Sequence, residues 1–156
     1  MGKFYQAVGE ELTLYVRHCA WLNAVPEKRE GDKSKTPYVP RGEKMNAAGM
    51  DPGMPPLDAP YLLGYFWEVG PTMPGGMGEV PLTFHEIQAW QEQIGIDLQP
   101  WEARIIRRLS CEYLNQSNKA TKLHCEAPWE FDGWQLVDRL YVAGSLEDSM
   151  DGLMEL

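Results

Sequence analysis

The chain has 156 residues, of which 44% are hydrophobic and 11% aromatic, and this is enough to bury a single core. Its formal net charge is −9 at pH 7, which argues against broad electrostatic binding to nucleic acid or to an anionic membrane. Twelve prolines and fifteen glycines indicate long irregular segments beside the folded part.

The first predicted element is an N-terminal helix within residues 1–25, ended by Pro26. Its charged residues Glu10, Glu11 and Arg17 interrupt the apolar pattern, so the segment is predicted to be neither a signal sequence nor a membrane span. The apolar residues recur at spacings of three and four, at Phe4, Val8, Leu12, Tyr15, Cys19 and Leu22.

Residues 26–56 are predicted to form a linker or a long loop. The segment has no sustained apolar period and is crowded with proline, glycine and charge. It therefore offers little apolar surface to offset the entropy of ordering the backbone. The sequence as a whole shows no internal repeat and no convincing β-strand.

Residues 57–129 are predicted to form the helical core. Its first helix follows Asp58, a candidate N-cap, and has Pro60 in its first turn. A loop rich in Gly, Pro and Met follows at residues 71–81. The helix itself is apolar nearly all round, which requires packing partners on several sides, through Tyr61, Leu62, Tyr65, Phe66 and Val69.

Two further helices are predicted to form an αα-hairpin, the centre of the fold. Thr83 and Glu86 have the spacing of a capping box at the first helix start, and Gly95 can end that helix with a positive φ. After a link of sequence IDLQ, Pro100 takes the first position of the second helix. The apolar stripe of this second helix has a strict four-residue spacing, at Trp101, Ile105, Leu109 and Tyr113.

The hairpin carries two further apolar signals. Leu82 and Ile87 have the spacing of a hydrophobic staple. Trp90 and Trp101 lie on the apolar stripes, and we predict that both are core residues that fasten the two helices together. Trp67 is kept as a candidate partner-binding residue.

Residues 130–156 are predicted to form a C-terminal helix, roughly Trp134 to Ala143, and an acidic tail. Residues 126–156 contain eight acidic residues and one basic residue, Arg139. The apolar residues of the tail have amphipathic spacing, which predicts a helix that forms on binding a partner, with contact residues Leu146, Met150, Leu153 and Met154. The fold class is therefore mainly α: a small helical domain built on an αα-hairpin, with a long irregular Pro/Gly-rich segment and an acidic C-terminal tail.

The sequence shows no pattern typical of a catalytic, cofactor or metal site. Cys19, Cys111 and Cys125 have no CxxC spacing, which points to reduced thiols in a cytoplasm. His85 is predicted to be an exposed residue in the first turn of a helix. Neither a zinc-ligand pair, nor a serine elbow, nor a phosphate-binding loop is present. We therefore expect no enzyme, no cofactor and no metal.

Arg104, Arg107 and Arg108 form the one basic cluster on a predicted helix. They either belong to a solvated face and pair with nearby acids such as Glu112, or form a docking patch. The patch would bind an acidic partner or the acidic C-terminus of this same chain.

The order of several motifs resembles the small tail assembly chaperones of long-tailed bacteriophages. The motifs are LGYFWEV, then PLTFHEIQAWQEQIGIDLQPWEARIIRRLSCEYL, and a closing APW, within residues 60–129. The matching positions are Phe66, Trp67, Glu68, Glu86, Ile87, Ala89, Trp90, Gly95, Leu98, Pro100, Trp101, Glu102, Tyr113, Leu114, Pro128 and Trp129.

The resemblance implies a helical, non-enzymatic protein of the host cytoplasm. Such a protein binds the tape-measure protein or the major tail subunit before the tail tube polymerises, and it is absent from the finished virion. Nucleic acid and membrane are not expected partners, while self-association is left open. The alternatives are a structural virion component, such as a tail completion or connector protein, and a small regulatory or host-interacting protein.

Overall fold

The computed structural model describes residues 2–142, and this part is mainly helical, which confirms the predicted fold class. The helices are α1 (Lys3–Asn23), α2 (Arg41–Ala47), α3 (Pro60–Val69), α4 (Phe84–Ile94) and α5 (Pro100–Lys119), and the strands are β1 (Met73–Gly75) and β2 (Gly78–Val80). The predicted last helix begins as a 3₁₀ turn, Trp134–Leu136, and is α-helical over residues 137–142. None of the helices in residues 2–142 combines the length and hydropathy that a membrane crossing requires.

The centre of the fold is a parallel pair of long helices, α1 and α5. Near their N-terminal ends the rings of Tyr5 and Trp101 lie 4.4 Å apart between centroids. Further along, Arg17 forms an ion pair of 2.7 Å with Glu112. The core between the two helices is built from residues at helical spacing, which are Val8, Leu12 and Val16 on α1 and Ile105, Ile106 and Leu109 on α5.

The predicted αα-hairpin is present as α4 and α5, and both of its tryptophans pack against the main core and contact rings on other helices. The Trp90 ring contacts Tyr65 on α3 at 5.3 Å, and the Trp101 ring contacts Tyr5 on α1. Both side chains are half-buried. Each tryptophan therefore attaches one arm of the hairpin to a different helix, and the fully buried staple residue Ile87 lies in the core.

The helix ends follow the predicted local chemistry in part. The Thr83 hydroxyl accepts the Glu86 N–H at 3.2 Å, and Gly95 ends α4 with a φ of 76°. The return bond of a full capping box at Thr83 is not formed among the described residues. Instead the Gln99 N–H donates to the Glu102 carboxylate at 2.9 Å, at the start of α5. The cap of α3 was wrongly predicted, since Ala59, not Asp58, is the N-cap.

The segment predicted to be a linker or a long loop, residues 26–56, contains the short helix α2. α2 has seven residues, and its Arg41 and Met45 are buried. Met45 joins a second apolar cluster with Trp21, at the C-terminal end of α1, and this cluster also contains Ala120 and Val137. This part of the segment is ordered by contacts with residues far away in the sequence. Its own composition does not predict that order.

The Gly/Pro/Met-rich loop predicted at residues 71–81 contains a two-stranded antiparallel hairpin. Gly75 pairs with Gly78, and a Cβ at Gly75 would lie 2.5 Å from the Val80 Cγ1 atom. Only glycine fits this close approach. The strands have three residues each, too few to show the alternation by which a strand is recognised in sequence.

Candidate functional site

The three arginines of the predicted basic cluster do not share one environment. Arg104 and Arg108 are exposed and lie one helical turn apart on α5. Arg107 is half-buried, and its guanidinium lies 5.4 Å from the centre of the Phe84 ring on α4. Arg107 therefore attaches α5 to α4, whereas Arg104 and Arg108 are available to a partner.

Arg104 and Arg108 line a groove between α1 and α5, which we call the arginine groove. It has a volume of about 260 Å³. Gly9 lies on α1 opposite the Arg108 side chain, whose Nη1 atom is 3.4 Å from the position that a Cβ at Gly9 would take. The full lining is Tyr5, Gln6, Gly9, Arg104, Ile105 and Arg108.

The charges in the arginine groove are uncompensated within residues 2–142. No carboxylate of this part of the chain lies within 4 Å of the Arg104 or Arg108 guanidinium. The pairing expected with Glu112 is not formed, because Glu112 pairs with Arg17 of α1. In an otherwise acidic protein, two adjacent exposed cations are therefore left for an anionic partner.

Aromatic side chains lie beside the groove. Phe4 is 69% exposed, and its ring lies 5.5 Å from that of Tyr5. Tyr5 in turn contacts Trp101 at the start of α5. One end of the arginine groove therefore has an apolar rim.

The other predicted partner-binding residues lie elsewhere. Trp67 is half-buried and packs against Phe66 and Tyr113, and it does not line the arginine groove. The tail residues lie outside the described part of the chain, namely Leu146, Met150, Leu153 and Met154.

The described residues contain no group of three or more His, Cys, Asp or Glu that could hold a metal ion. His85 is exposed. His124 Nδ1 lies 2.6 Å from Asp138 Oδ2, and this contact joins a loop to the last helix. Burial raises the pKa of the Cys19 thiol to about 11. Cys19 therefore stays protonated near neutral pH and is a poor nucleophile.

The sequence did not reveal that Tyr5, Gln6 and Gly9 contribute to the site. The pairing of α1 with α5 joins residues about a hundred positions apart, and no local pattern encodes such a contact.

The model of the phage tail assembly chaperone family matches residues 41–115 of this chain, which supports the resemblance seen in its motifs. The matched range begins at the first residue of α2 and includes most of α5, but it excludes α1. No curated protein sequence and no solved structure matches the chain.

Proposed function

We propose that this chain, which matches the phage tail assembly chaperone family over residues 41–115, binds the tape-measure protein or the major tail subunit before the tail tube polymerises. It then leaves the tail, so that it is absent from the finished virion. The observation that carries this proposal is the family match, which indicates a phage tail assembly chaperone and therefore phage tail proteins as partners.

The exposed surface suits the binding of another protein. Large apolar side chains are exposed at several separate places, and one of them, Met77, is at the tip of the β-hairpin. Aromatic and methionine side chains are enriched at protein interfaces, and flexible methionine adapts readily to a partner surface. The exposed set includes Phe4, Tyr61, Met77, Phe84 and Ile94.

The charge of the chain fits the same role. A net charge of −9 opposes aggregation while the chain holds an aggregation-prone tail subunit, and it disfavours nucleic acid and anionic membrane as partners. We place this function in the host cytoplasm, where tail proteins are synthesised. The family match also suggests a non-enzymatic role.

Co-expression with tail proteins tests the proposal. The tagged chain is produced with the tape-measure protein, with the major tail subunit, or with the major capsid protein of the same phage as a control. We expect one of the two tail proteins to co-purify and to stay soluble only when the chain is present. Failure of both tail proteins to co-purify would contradict the proposal.

A truncated chain assigns the contribution of the acidic tail in the same assay. We expect removal of residues 144–156 to weaken capture of the tail protein, because the predicted contact residues of the tail are lost. Undiminished capture would show that the tail is not the contact.

A further inference from the structure

We infer that the arginine groove holds an acidic, amphipathic helix of the tail protein, an inference that rests on the proposed function. The helix of the partner presents two carboxylates about one turn apart, with an apolar side chain between them. The carboxylates pair with Arg104 and Arg108, and the apolar side chain enters the groove.

Two cations that lie one turn apart on α5 favour a partner with two anions at a similar spacing. Residues four apart on one helix have Cβ atoms about 5–6 Å apart, and this distance matches carboxylates at positions i and i+3 or i+4 of a second helix. Arginine binds carboxylates through two parallel hydrogen bonds. The lining of the groove contains no acidic residue that competes for either guanidinium.

The groove floor explains the apolar side chain of the partner helix. Ile105 is 5% exposed and forms part of the lining, beside Tyr5 and the backbone of Gly9. A volume of about 260 Å³ is below the usual range of about 300–1,000 Å³ for small-molecule sites. It suits a side chain delivered by a protein helix, and arginine and tyrosine are typical of the residues that dominate protein interfaces.

The groove also gives α1 a role in choosing the partner. Arg104, Ile105 and Arg108 lie inside the range matched by the family, whereas Tyr5, Gln6 and Gly9 lie outside it. One wall therefore lies within residues 41–115, the range that the family model matches, and the other is supplied by α1, which lies outside that range. A substitution at a lining residue of α1 alters the shape of the groove without changing any residue of the matched range.

Charge removal tests this inference directly. The double variant Arg104→Gln/Arg108→Gln is compared with Arg107→Gln, a matched control on the same helix whose guanidinium lies against Phe84. The probe is whichever tail protein co-purifies with the unaltered chain. We expect the double variant to bind at least about tenfold more weakly, because each replacement leaves a carboxylate of the partner without its counter-charge in the interface. We expect Arg107→Gln to bind within about twofold of the unaltered chain.

The outcomes separate this inference from the proposed function. Capture of no tail protein by the unaltered chain would reject the proposed function and, with it, this inference. Capture by the unaltered chain with equal affinity for the double variant would overturn the groove and leave the proposed function standing. Circular dichroism and thermal unfolding of each variant show whether it is folded, which we expect because both replaced arginines are exposed.

A photo-crosslinking residue in place of exposed Gln6 identifies the segment that is bound. We expect the crosslinked peptide to come from the tail protein and to contain two Asp or Glu residues spaced by three or four positions around an apolar residue. A crosslink to the acidic residues 144–156 of this same chain would overturn the inference. The same crosslinker in place of Gln88, which is exposed on α4, is the positional control. A crosslinked peptide without that acidic pattern would overturn the inference.

Discussion

Replacement of Arg41 with Ala is expected to destabilise the folded chain by about 3–5 kcal/mol, because it removes the shared cap of two helices. The Arg41 side chain is 1% exposed. Its guanidinium donates to the carbonyl oxygens of Ala120 at 2.7 Å, Lys122 at 2.8 Å and Trp21 at 3.4 Å. It also lies 5.0 Å from the centre of the Trp21 ring.

The parallel arrangement of α1 and α5 explains why a cation is needed at this place. The last carbonyl groups of any helix lack partners inside that helix, and the helix dipole places partial negative charge there. Because α1 and α5 are parallel, both negative ends lie together, next to α2. Without Arg41 several carbonyl groups would be buried without donors, at a cost of about 1–3 kcal/mol each.

Urea unfolding of matched variants measures this effect. Arg41→Lys keeps the charge but loses the planar set of donors, so its loss of stability should be intermediate. Arg29→Ala is the control, because Arg29 is exposed and lies in the same predicted linker. If Arg41→Ala lowered the free energy of unfolding no more than Arg29→Ala does, the capping role of Arg41 would be wrong.

Acidification is expected to destabilise the chain through His18. This side chain is fully buried, and its ring is surrounded by Trp21, Trp129 and Phe131, with centroid distances of 6.0, 5.7 and 5.8 Å. Among residues 2–142 neither ring nitrogen makes a direct hydrogen bond of 3.5 Å or less, and the Gly53 backbone interacts with the ring more weakly. Burial lowers the pKa of His18, and the backbone of nearby Gly53 opposes this shift only in part.

The direction of the pH effect follows from that lowered pKa. The unfolded chain binds a proton at His18 near pH 6.5, whereas the folded chain resists it until a lower pH. The stabilisation that the neutral form of His18 provides is therefore complete above about pH 6.5. It decreases as the pH falls toward the pKa that His18 has in the folded chain. The contribution of His18 is at most about 1.4 kcal/mol per pH unit.

Comparison of the pH dependence of unfolding between variants separates the effect of His18 from that of other titrating groups. His18→Phe should remove this part of the acid sensitivity and should be at least as stable at pH 7.5, because no hydrogen bond is lost. Because the phenylalanine ring is larger than the histidine ring and can overpack the buried site, His18→Leu serves as a second variant. His85→Gln is the exposed control. Equal pH slopes of the unfolding free energy in the unaltered chain and both His18 variants would contradict this account.

The predictions that succeeded rest on local chemistry. The bounds of α1, α4 and α5 follow from apolar spacing and from residues with a fixed backbone role, such as Gly95 and Pro100. These signals lie within one or two turns of the structure that they determine. A single sequence therefore contains them in readable form.

The predictions that failed depend on contacts between distant residues. The sequence did not predict α2, because the burial of this helix depends on Arg41 binding carbonyl groups about eighty positions away. Glu112 was one possible partner for the arginines of its own helix, but it pairs with Arg17 of α1. The arginine groove could not be predicted from the sequence for the same reason, since half of its lining comes from α1.

We propose that this chain assists tail assembly without becoming part of the tail. Quantitative mass spectrometry of purified virions, alongside tail-assembly intermediates from the same infected cells, distinguishes this role from that of a virion component. We expect the chain to be abundant with a tail protein in the intermediates and absent from finished particles. Stoichiometric amounts of the chain in finished virions would contradict the proposed function and would indicate a structural virion component.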